Sequence, residues 1–143
     1  MLNVFFHSAD RKLSLPNKIK IRQFIQDIFK EEKIELKRVD YIFCSDEYLL
    51  DINKRFLNHN FFTDTITFDL SDTKTMVEGE IYISADRIKE NAFNLKIKPK
   101  EEFLRVIIHG ALHLCGYNDE TKNEILLIRE RENYYLNKLY GFT

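Results

Sequence analysis

The spacing of apolar side chains along this chain predicts strands that alternate with helices. Residues 2–7 have the composition of a β-strand. A helix is predicted from Pro16, whose missing N–H suits a first turn, to about Glu32, because apolar residues recur at helical spacing at Ile21, Phe24, Ile25 and Ile28. Residues 39–44 are rich in β-branched and aromatic side chains and predict a second strand.

The middle of the chain predicts a hairpin between helices. Ser45 is suited to cap a helix that ends near Leu57, because its hydroxyl can accept a hydrogen bond from the first turn. Residues 65–70 and 80–84 alternate in polarity around a polar, turn-prone segment, and this pattern is typical of a β-hairpin. Two further helices are predicted at about 85–95 and 100–115.

A last helix is predicted to begin at the capping box of residues 121–124, with a buried stripe at Ile125, Ile128, Tyr135 and Leu139. The helix before it is apolar on nearly every side, which predicts a central and buried element. A chain of 143 residues without repeats or linkers is expected to form a single domain, residues 1–143. The elements together amount to roughly four strands and about five helices.

Composition narrows the function only slightly. A formal net charge of -1 does not indicate a polyanion partner, so a nucleic-acid role would need a local basic patch. The chain has no apolar run of membrane-spanning length and no signal-peptide pattern, and a cytoplasmic protein is expected. Cys44 and Cys115 are therefore not expected to form a disulfide.

Two histidines lie four residues apart near the end of the apolar helix. His109 and His113 share one helix face, with Cβ atoms about 5 to 6 Å apart, so each imidazole can offer a nitrogen to one ion. Gly116 is placed to end the helix in the left-handed conformation, and the reversed chain can deliver Asp119 as a third ligand. The pattern favours a metal site over a pair of hydrogen-bonded core histidines. Cys115 is a competing ligand, but it points away from the histidine face and suits a buried apolar position.

The ligand spacing is that of a metalloprotease signature, but residue 110 changes its meaning. Gly110 stands where such proteases carry the glutamate that acts as general base, so peptidase activity is disfavoured. Three protein ligands leave an open position on zinc for a water or a substrate, which is typical of a catalytic site. A general base must then come from outside this helix, and Asp64 and Glu80 are the candidates. Alternatively, Asp64 only caps a turn and Glu80 faces solvent or orients a ligand histidine.

Three motifs together resemble the YbeY family of bacterial metal-dependent endoribonucleases. They lie at residues 63–68, 79–84 and 109–119, and the resemblance extends from about residue 44 to residue 128. It implies a single zincin-like α+β domain with a mixed sheet, one zinc ion per chain and a cytoplasmic location. An open position on that zinc would suit phosphodiester cleavage by either a water or a ribose 2′-OH. It also implies an endoribonuclease specific for single strands that matures ribosomal RNA, chiefly at the small-subunit 3′ end, and takes part in ribosome quality control. The implied partners are precursor ribosomal RNA and the ribosome or its associated proteins, and not DNA or a membrane.

The chain departs from the family pattern at positions that bear on function. Asp119 replaces the third histidine, Leu57 replaces the arginine assigned to RNA, and Glu80 replaces an aspartate. Lys54 and Arg55 lie a few residues before the missing arginine and are candidates to replace it. The alternative interpretation is that these two belong to an ordinary solvated helix face.

Basic residues elsewhere offer candidate RNA contacts. Lys96, Lys98 and Lys100 lie near the start of the helix that carries His109 and His113. Lys18, Lys20 and Arg22 lie on the first helix. Tyr117 could stack on a base beside the metal or pack on the helix end. Charged segments of this kind also occur as solvated loops. A second function class stays open, namely a ribosome-associated RNA- or protein-binding factor with a structural metal and little nuclease activity, which would fit the missing arginine.

Overall fold

A computed structural model describes residues 1–12, 15, 17–60, 62–73 and 75–140, which contain four strands and five helices. The strands are β1 (Val4–Ser8), β2 (Glu35–Cys44), β3 (Thr65–Asp69) and β4 (Met76–Ser84). The helices are α1 (Lys18–Glu31), α2 (Asp46–Phe56), α3 (Ala85–Leu95), α4 (Pro99–Leu114) and α5 (Lys122–Tyr140). These bounds follow the predicted elements, except that β2 and β4 begin several residues earlier. Pro16, predicted to open the first helix, lies outside the described residues.

The strands form one mixed sheet in the order β1-β2-β4-β3. β1, β2 and β4 run parallel, whereas β3 pairs antiparallel with β4 and forms one edge of the sheet. The predicted hairpin is therefore confirmed, as is the α+β class with a mixed sheet of four strands and five helices. No helix in the described part of the chain is long and apolar enough to span a membrane.

α4 is the central helix of the larger core. Its apolar residues pack beneath the sheet together with residues of α1 and α5, and those predicted to be buried are buried: Phe103, Leu104, Val106, Ile107, Ile108, Ala111, Leu112 and Leu114. The buried hydroxyl of Tyr41 on β2 donates a hydrogen bond to the carbonyl of Ile107 at 2.8 Å. Burial raises the pKa of Tyr41 well above its ordinary value, so this hydroxyl stays a donor. The bond ties the middle of the sheet to the middle of α4.

Close contact between α4 and β4 sets the position of the helix. A Cβ atom added at Gly110 would lie 2.8 Å from Cγ2 and 2.9 Å from Cδ1 of Ile81. Real Cβ atoms do not come so near a neighbour, so the helix can approach the strand only because residue 110 has no side chain. The glutamate that a metalloprotease carries at this position would not fit. The contact with Ile81 thus gives a steric reason why residue 110 is glycine.

A smaller core lies on the other face of the sheet, under α2. Its buried residues are Cys44, Leu49, Ile52 and Ile66. Ser45 caps α2 as predicted, because its hydroxyl accepts a hydrogen bond from the N–H of Tyr48 at 3.1 Å. α2 is therefore fixed at its first turn and carries the loop that leads to β3.

α5 begins at the predicted capping box, in which Thr121 and Glu124 exchange hydrogen bonds of 2.9 and 3.1 Å. The prediction of its buried stripe was wrong at Ile125, which is 44% exposed. The helix turns Glu132 and Leu136 toward the core instead, alongside Ile128 and Tyr135. The helix therefore presents a carboxylate among its buried residues.

A carboxylate at the end of α1 joins α5 to the turn after α4. Glu32 accepts hydrogen bonds from the hydroxyls of Tyr117 and Tyr135, at 2.8 and 2.5 Å, and from the guanidinium of Arg131 at 2.7 Å. Burial acts to raise the pKa of Glu32, but these three donors outweigh it and lower that pKa. The charged form of Glu32 therefore holds three segments together.

We expect Gly110→Ala to destabilise the fold by about 1 to 3 kcal/mol, because the added methyl group overpacks the contact with Ile81. An open helical site would instead gain about 1 kcal/mol from the same change. The measurement is the free energy of unfolding in urea. In an Ile81→Ala background the methyl group has room, so Gly110→Ala should be neutral or stabilising there. The same loss in both backgrounds would contradict the contact as its cause.

Candidate metal centre

Three side chains converge at the C-terminal end of α4. The Nε2 atoms of His109 and His113 are 3.0 Å apart, and Oδ2 of Asp119 lies 3.4 and 3.3 Å from them. Two ligands of a tetrahedral zinc ion with bonds near 2.0 to 2.1 Å are about 3.3 Å apart. The three atoms therefore match one face of such a tetrahedron, and imidazole and carboxylate are ordinary zinc ligands. Among the described residues, these are the only His, Cys, Asp or Glu side chains found grouped so that they could hold an ion.

The end of α4 determines where Asp119 lies. Gly116 has a φ of 106°, and its N–H donates to the carbonyl of His113 at 3.0 Å, while the N–H of Tyr117 donates to Leu112 at 3.0 Å. These bonds form a Schellman motif, which reverses the chain direction after a helix. The predicted role of Gly116 is thus seen in the structure, and the turn returns the chain toward His113.

Both sides of Asp119 are anchored. Before it, the hydroxyl of Tyr117 donates to Glu32. After it, the N–H groups of Glu120 and Thr121 donate to the carboxylate of Glu124 at 3.2 and 2.9 Å. Asp119 is nevertheless 43% exposed at its side chain, so the site is open on this side.

A buried carboxylate on α5 holds the far side of one ligand. Oε2 of Glu132 lies 2.6 Å from Nδ1 of His109, and Oε1 accepts a hydrogen bond from Arg105 at 3.1 Å. The Glu132 side chain is only 3% exposed. A proton on Nδ1 that is shared with Glu132 leaves Nε2 with its lone pair toward His113 and Asp119, which is the tautomer that a metal ligand needs.

The charges around His109 shift two pKa values in opposite directions. Burial acts to lower the pKa of His109, but the carboxylates of Glu132, Asp119 and Asp64 outweigh it and raise that pKa. Burial likewise acts to raise the pKa of Glu132, but hydrogen bonds from His109 and Arg105 outweigh it and lower that pKa. The site thus favours positive charge between its carboxylates, whether carried by a proton or by a metal ion.

The three candidate ligands line a cleft with a volume of about 640 Å³. It lies between the end of α4, the edge strand β3 and the loop after α2, and it contains Asp64, His59 and Leu57. Burial raises the pKa of Asp64, with a smaller opposing effect from His109. The described residues that line this cleft include the carboxylates of Asp64, Asp69, Asp119 and Glu120, but no lysine or arginine.

Glu80, the second candidate general base, is not brought to this cleft. Because Ile81 points to Gly110 of α4, its neighbours Glu80 and Tyr82 point to the opposite face of the sheet. There Glu80 accepts a hydrogen bond from the hydroxyl of Tyr82 at 3.2 Å and lines a different cavity. Arg55 lies in that second cavity too and pairs with Asp51 at 3.1 Å, so it does not supply the cleft with a cation.

Three of the lysines proposed as RNA contacts lie away from the candidate ligands. Lys96, Lys98 and Lys100 line a cavity at the start of α4, and Pro99 and His113 are separated by roughly 21 Å along a helix with a rise of 1.5 Å per residue. Tyr117 is partly buried against the core and packs at the helix end. Burial raises the pKa of Cys115 to about 12, which suits an apolar thiol better than a ligand.

Sequence reasoning did not identify Glu132 or His59. One signal for Glu132 was available, since an acidic residue at the core-facing spacing between Ile128 and Leu136 interrupts an apolar stripe. No local pattern shows that it meets His109, 23 residues earlier in the chain. His59 lies in a loop whose course the sequence does not indicate.

The chain is similar to known proteins in both sequence and fold. A family model described as Endoribonuclease YbeY matches residues 5–140. A protein named Endoribonuclease YbeY from Cytophaga hutchinsonii is 45% identical over 130 residues, which cover 91% of this chain and 91% of that protein. A protein of the same name from Amoebophilus asiaticus is 39% identical over 134 residues, or 94% and 91% of the two chains. The solution structure of a Thermotoga maritima protein has a TM-score of 0.67 at 25% identity and covers 96% of this chain and 89% of that one.

We expect the pair of His109 and Glu132 to stabilise the metal-free protein within a pH window. The raised pKa of His109 gives a contribution that is complete below the ordinary value of 6.5 and is lost as the pH rises through the folded value. The lowered pKa of Glu132 gives one that is complete above 4.5 and is lost as the pH falls through the folded value. Glu132→Gln should therefore lower the free energy of unfolding most between pH 4.5 and pH 6.5, by about 1 to 3 kcal/mol.

Urea unfolding of chelator-treated protein at several pH values measures this difference. Glu130→Gln is a matched control, because Glu130 is an exposed residue of the same helix. The stability lost in Glu132→Gln should differ between about pH 4 and pH 8 by more than the uncertainty of such measurements. The same loss at every pH would show that the pair does not behave as described.

Proposed function

The chain belongs to the YbeY family of endoribonucleases, and on this basis we propose that it cleaves single-stranded RNA with one bound zinc ion. The proposed substrate is precursor ribosomal RNA, chiefly the small-subunit 3′ end, and the wider role is ribosome quality control in the bacterial cytoplasm. The observation that carries the proposal is the convergence of His109, His113 and Asp119 on one open cleft.

The donor set suits zinc, which would be held by His109, His113 and Asp119. When bound there, zinc would supply a Lewis acid that neutralises charge on a phosphoryl oxygen and lowers the pKa of a water. Glu132 would fix the His109 ring in the ligand tautomer through Nδ1. We assign Asp64 as the general base, because it lies in the same cleft and its raised pKa makes it a better proton acceptor than an ordinary carboxylate.

The charge of the cleft supports a requirement for a cation. Four carboxylates line the cleft, at Asp64, Asp69, Asp119 and Glu120, and they would repel a phosphodiester. A divalent ion at the three ligands would offset that repulsion at the point of cleavage. Metal dependence is therefore expected from electrostatics as well as from the ligand geometry.

The same charges favour help from a partner in RNA binding. Leu57 lines the cleft where the family arginine is expected, and no lysine or arginine is among its described lining residues. Phosphate contacts supply much of the affinity of proteins for nucleic acid. We therefore propose weak activity on naked RNA and stronger activity when the ribosome or a ribosome-associated protein positions the substrate.

A second candidate function is a ribosome-associated binding factor whose metal is only structural. The described residues that line the cleft include no lysine or arginine, which favours it. Structural zinc sites, however, are usually closed by four protein ligands. Here three ligand atoms converge among the described residues and the side chain of Asp119 is 43% exposed, so we favour the enzyme.

The purified protein should contain about one zinc ion per chain, and His109→Ala should lose it. Asp119→Ala should bind zinc at least about tenfold more weakly, the loss typical of removing even an outer partner of a ligand. Asp119→His should retain binding, because an imidazole can replace the carboxylate as a zinc ligand. Elemental analysis and titration against a chelator measure these differences.

His7→Ala is the matched control for the zinc experiment. His7 lies on β1 beside Asp40, outside the metal cleft, so its loss should leave the zinc content unchanged. Equal zinc in the wild type and His109→Ala would reject the site. Tight binding by Asp119→Ala would instead assign the third ligand to another group, such as Glu120 or Cys115.

Depletion of the protein in its source organism should let precursor small-subunit RNA with an unprocessed 3′ end accumulate. A wild-type copy should restore maturation, whereas a copy with His109→Ala and His113→Ala should not, because it cannot hold the metal. Mapping of RNA ends by sequencing measures both results. Normal ends after depletion, or full rescue by the double variant, would exclude the nuclease function and favour the binding role.

A further inference from the structure

His59 lines the same cleft as the metal ligands but comes from the loop that joins α2 to β3. Among the described residues of the cleft, it is the one imidazole that does not belong to the metal-ligand group. It is an exposed residue, so a substrate in the cleft can reach it. Its position suits a role in the reaction other than metal binding.

A buried residue of α2 holds the backbone at the start of this loop. The N–H groups of Leu57 and His59 both donate to the carbonyl of Asn53, at 3.1 and 3.0 Å. Asn58, between them, has a φ of 55°, so the chain turns sharply at that point. The fully buried side chain of Asn53 also donates to Oγ1 of Thr63 at 3.1 Å. Both ends of the loop are thus tied to Asn53, and His59 is held at the rim of the cleft.

Phosphodiester cleavage needs two proton transfers. The attacking oxygen loses a proton, and the leaving oxygen gains one. Asp64 is assigned to the first transfer, and residue 110, where a peptidase carries its acid–base glutamate, is glycine and has no room for a side chain. Imidazole is the side chain that most often carries out such transfers. His59 is therefore suited to the second.

We propose that His59 is a further catalytic residue that protonates the leaving oxygen of the RNA phosphodiester. As the attacking oxygen forms its bond to phosphorus, the bond to the leaving oxygen breaks and the electron pair stays on that oxygen. The imidazolium of His59 gives its proton to that oxygen and becomes neutral, while Asp64 holds the proton lost by the attacking oxygen. Exchange with water then removes the proton from Asp64 and returns one to His59. The inference rests on the proposed nuclease function and names a second group that takes part in it.

The test compares the zinc-loaded wild type, His59→Ala and His59→Gln on two RNA oligonucleotides under single-turnover conditions. One oligonucleotide is unmodified. In the other, the leaving oxygen, identified from the product ends of the first, is replaced by sulfur, which leaves without protonation. Both variants should cleave the unmodified RNA about 100-fold or more slowly, the usual effect of losing a general acid. They should cleave the sulfur-containing RNA within roughly threefold of the wild-type rate, since proton transfer no longer limits it.

Three controls separate this role from others. His7→Ala removes an imidazole outside the cleft and should match the wild type on both substrates. Equal zinc content in all variants shows that His59 is not a ligand. His59→Arg keeps a positive charge, but the pKa of a guanidinium is too high for it to act as a general acid. This variant should therefore remain slow on the unmodified RNA.

Several results would overturn the inference. They are a wild-type rate for His59→Ala on unmodified RNA, restoration of that rate by His59→Arg, and an equal loss on the oxygen and sulfur substrates. Each of these leaves the nuclease function intact if the wild type cleaves only with zinc. A wild type that cleaves neither RNA with zinc would reject the proposed function itself, and the role of His59 with it.

Discussion

The packing of α4 against β4 at Gly110 is the constraint on which the rest of the structure depends. Ile81 occupies the space that a side chain at residue 110 would need, so α4 can lie this close to the sheet only with glycine there. This closeness places the end of α4 beside the edge strand β3, where His109 and His113 meet a cleft. It also leaves no room for an acid–base side chain at residue 110. In the proposed reaction the proton-transfer groups, Asp64 and His59, come from the loop between α2 and β3 instead.

Two carboxylates lie on opposite sides of the His109 imidazole. Glu132 lies behind His109 in the protein interior, and Asp119 lies in front of it at the surface. The inner carboxylate is neutralised by Arg105 as well as by the histidine, so its burial is tolerated. The outer carboxylate has no such partner among the described residues apart from the two histidines. A cation held at the three candidate ligand atoms would neutralise Asp119.

The sequence predicted what depends on local spacing. The face shared by His109 and His113, the turn at Gly116 and the cap at Ser45 each follow from rules that span only a few residues. Glu80 could not be assigned to a face, because its direction depends on how Ile81 meets α4. Glu132 was missed because its partner lies on another helix, and helix pairing is decided by the whole core. Ile125 was misplaced for the same reason.

The carboxylate behind His109 belongs to α5, which follows every other described element along the chain. A protein is synthesised from its N-terminus, so α4 with both histidines leaves the ribosome before Glu132 does. A single domain folds as a unit, and the His109 ring lacks the carboxylate at its Nδ1 until α5 docks. A nascent chain thus carries the ligands before it carries the finished site.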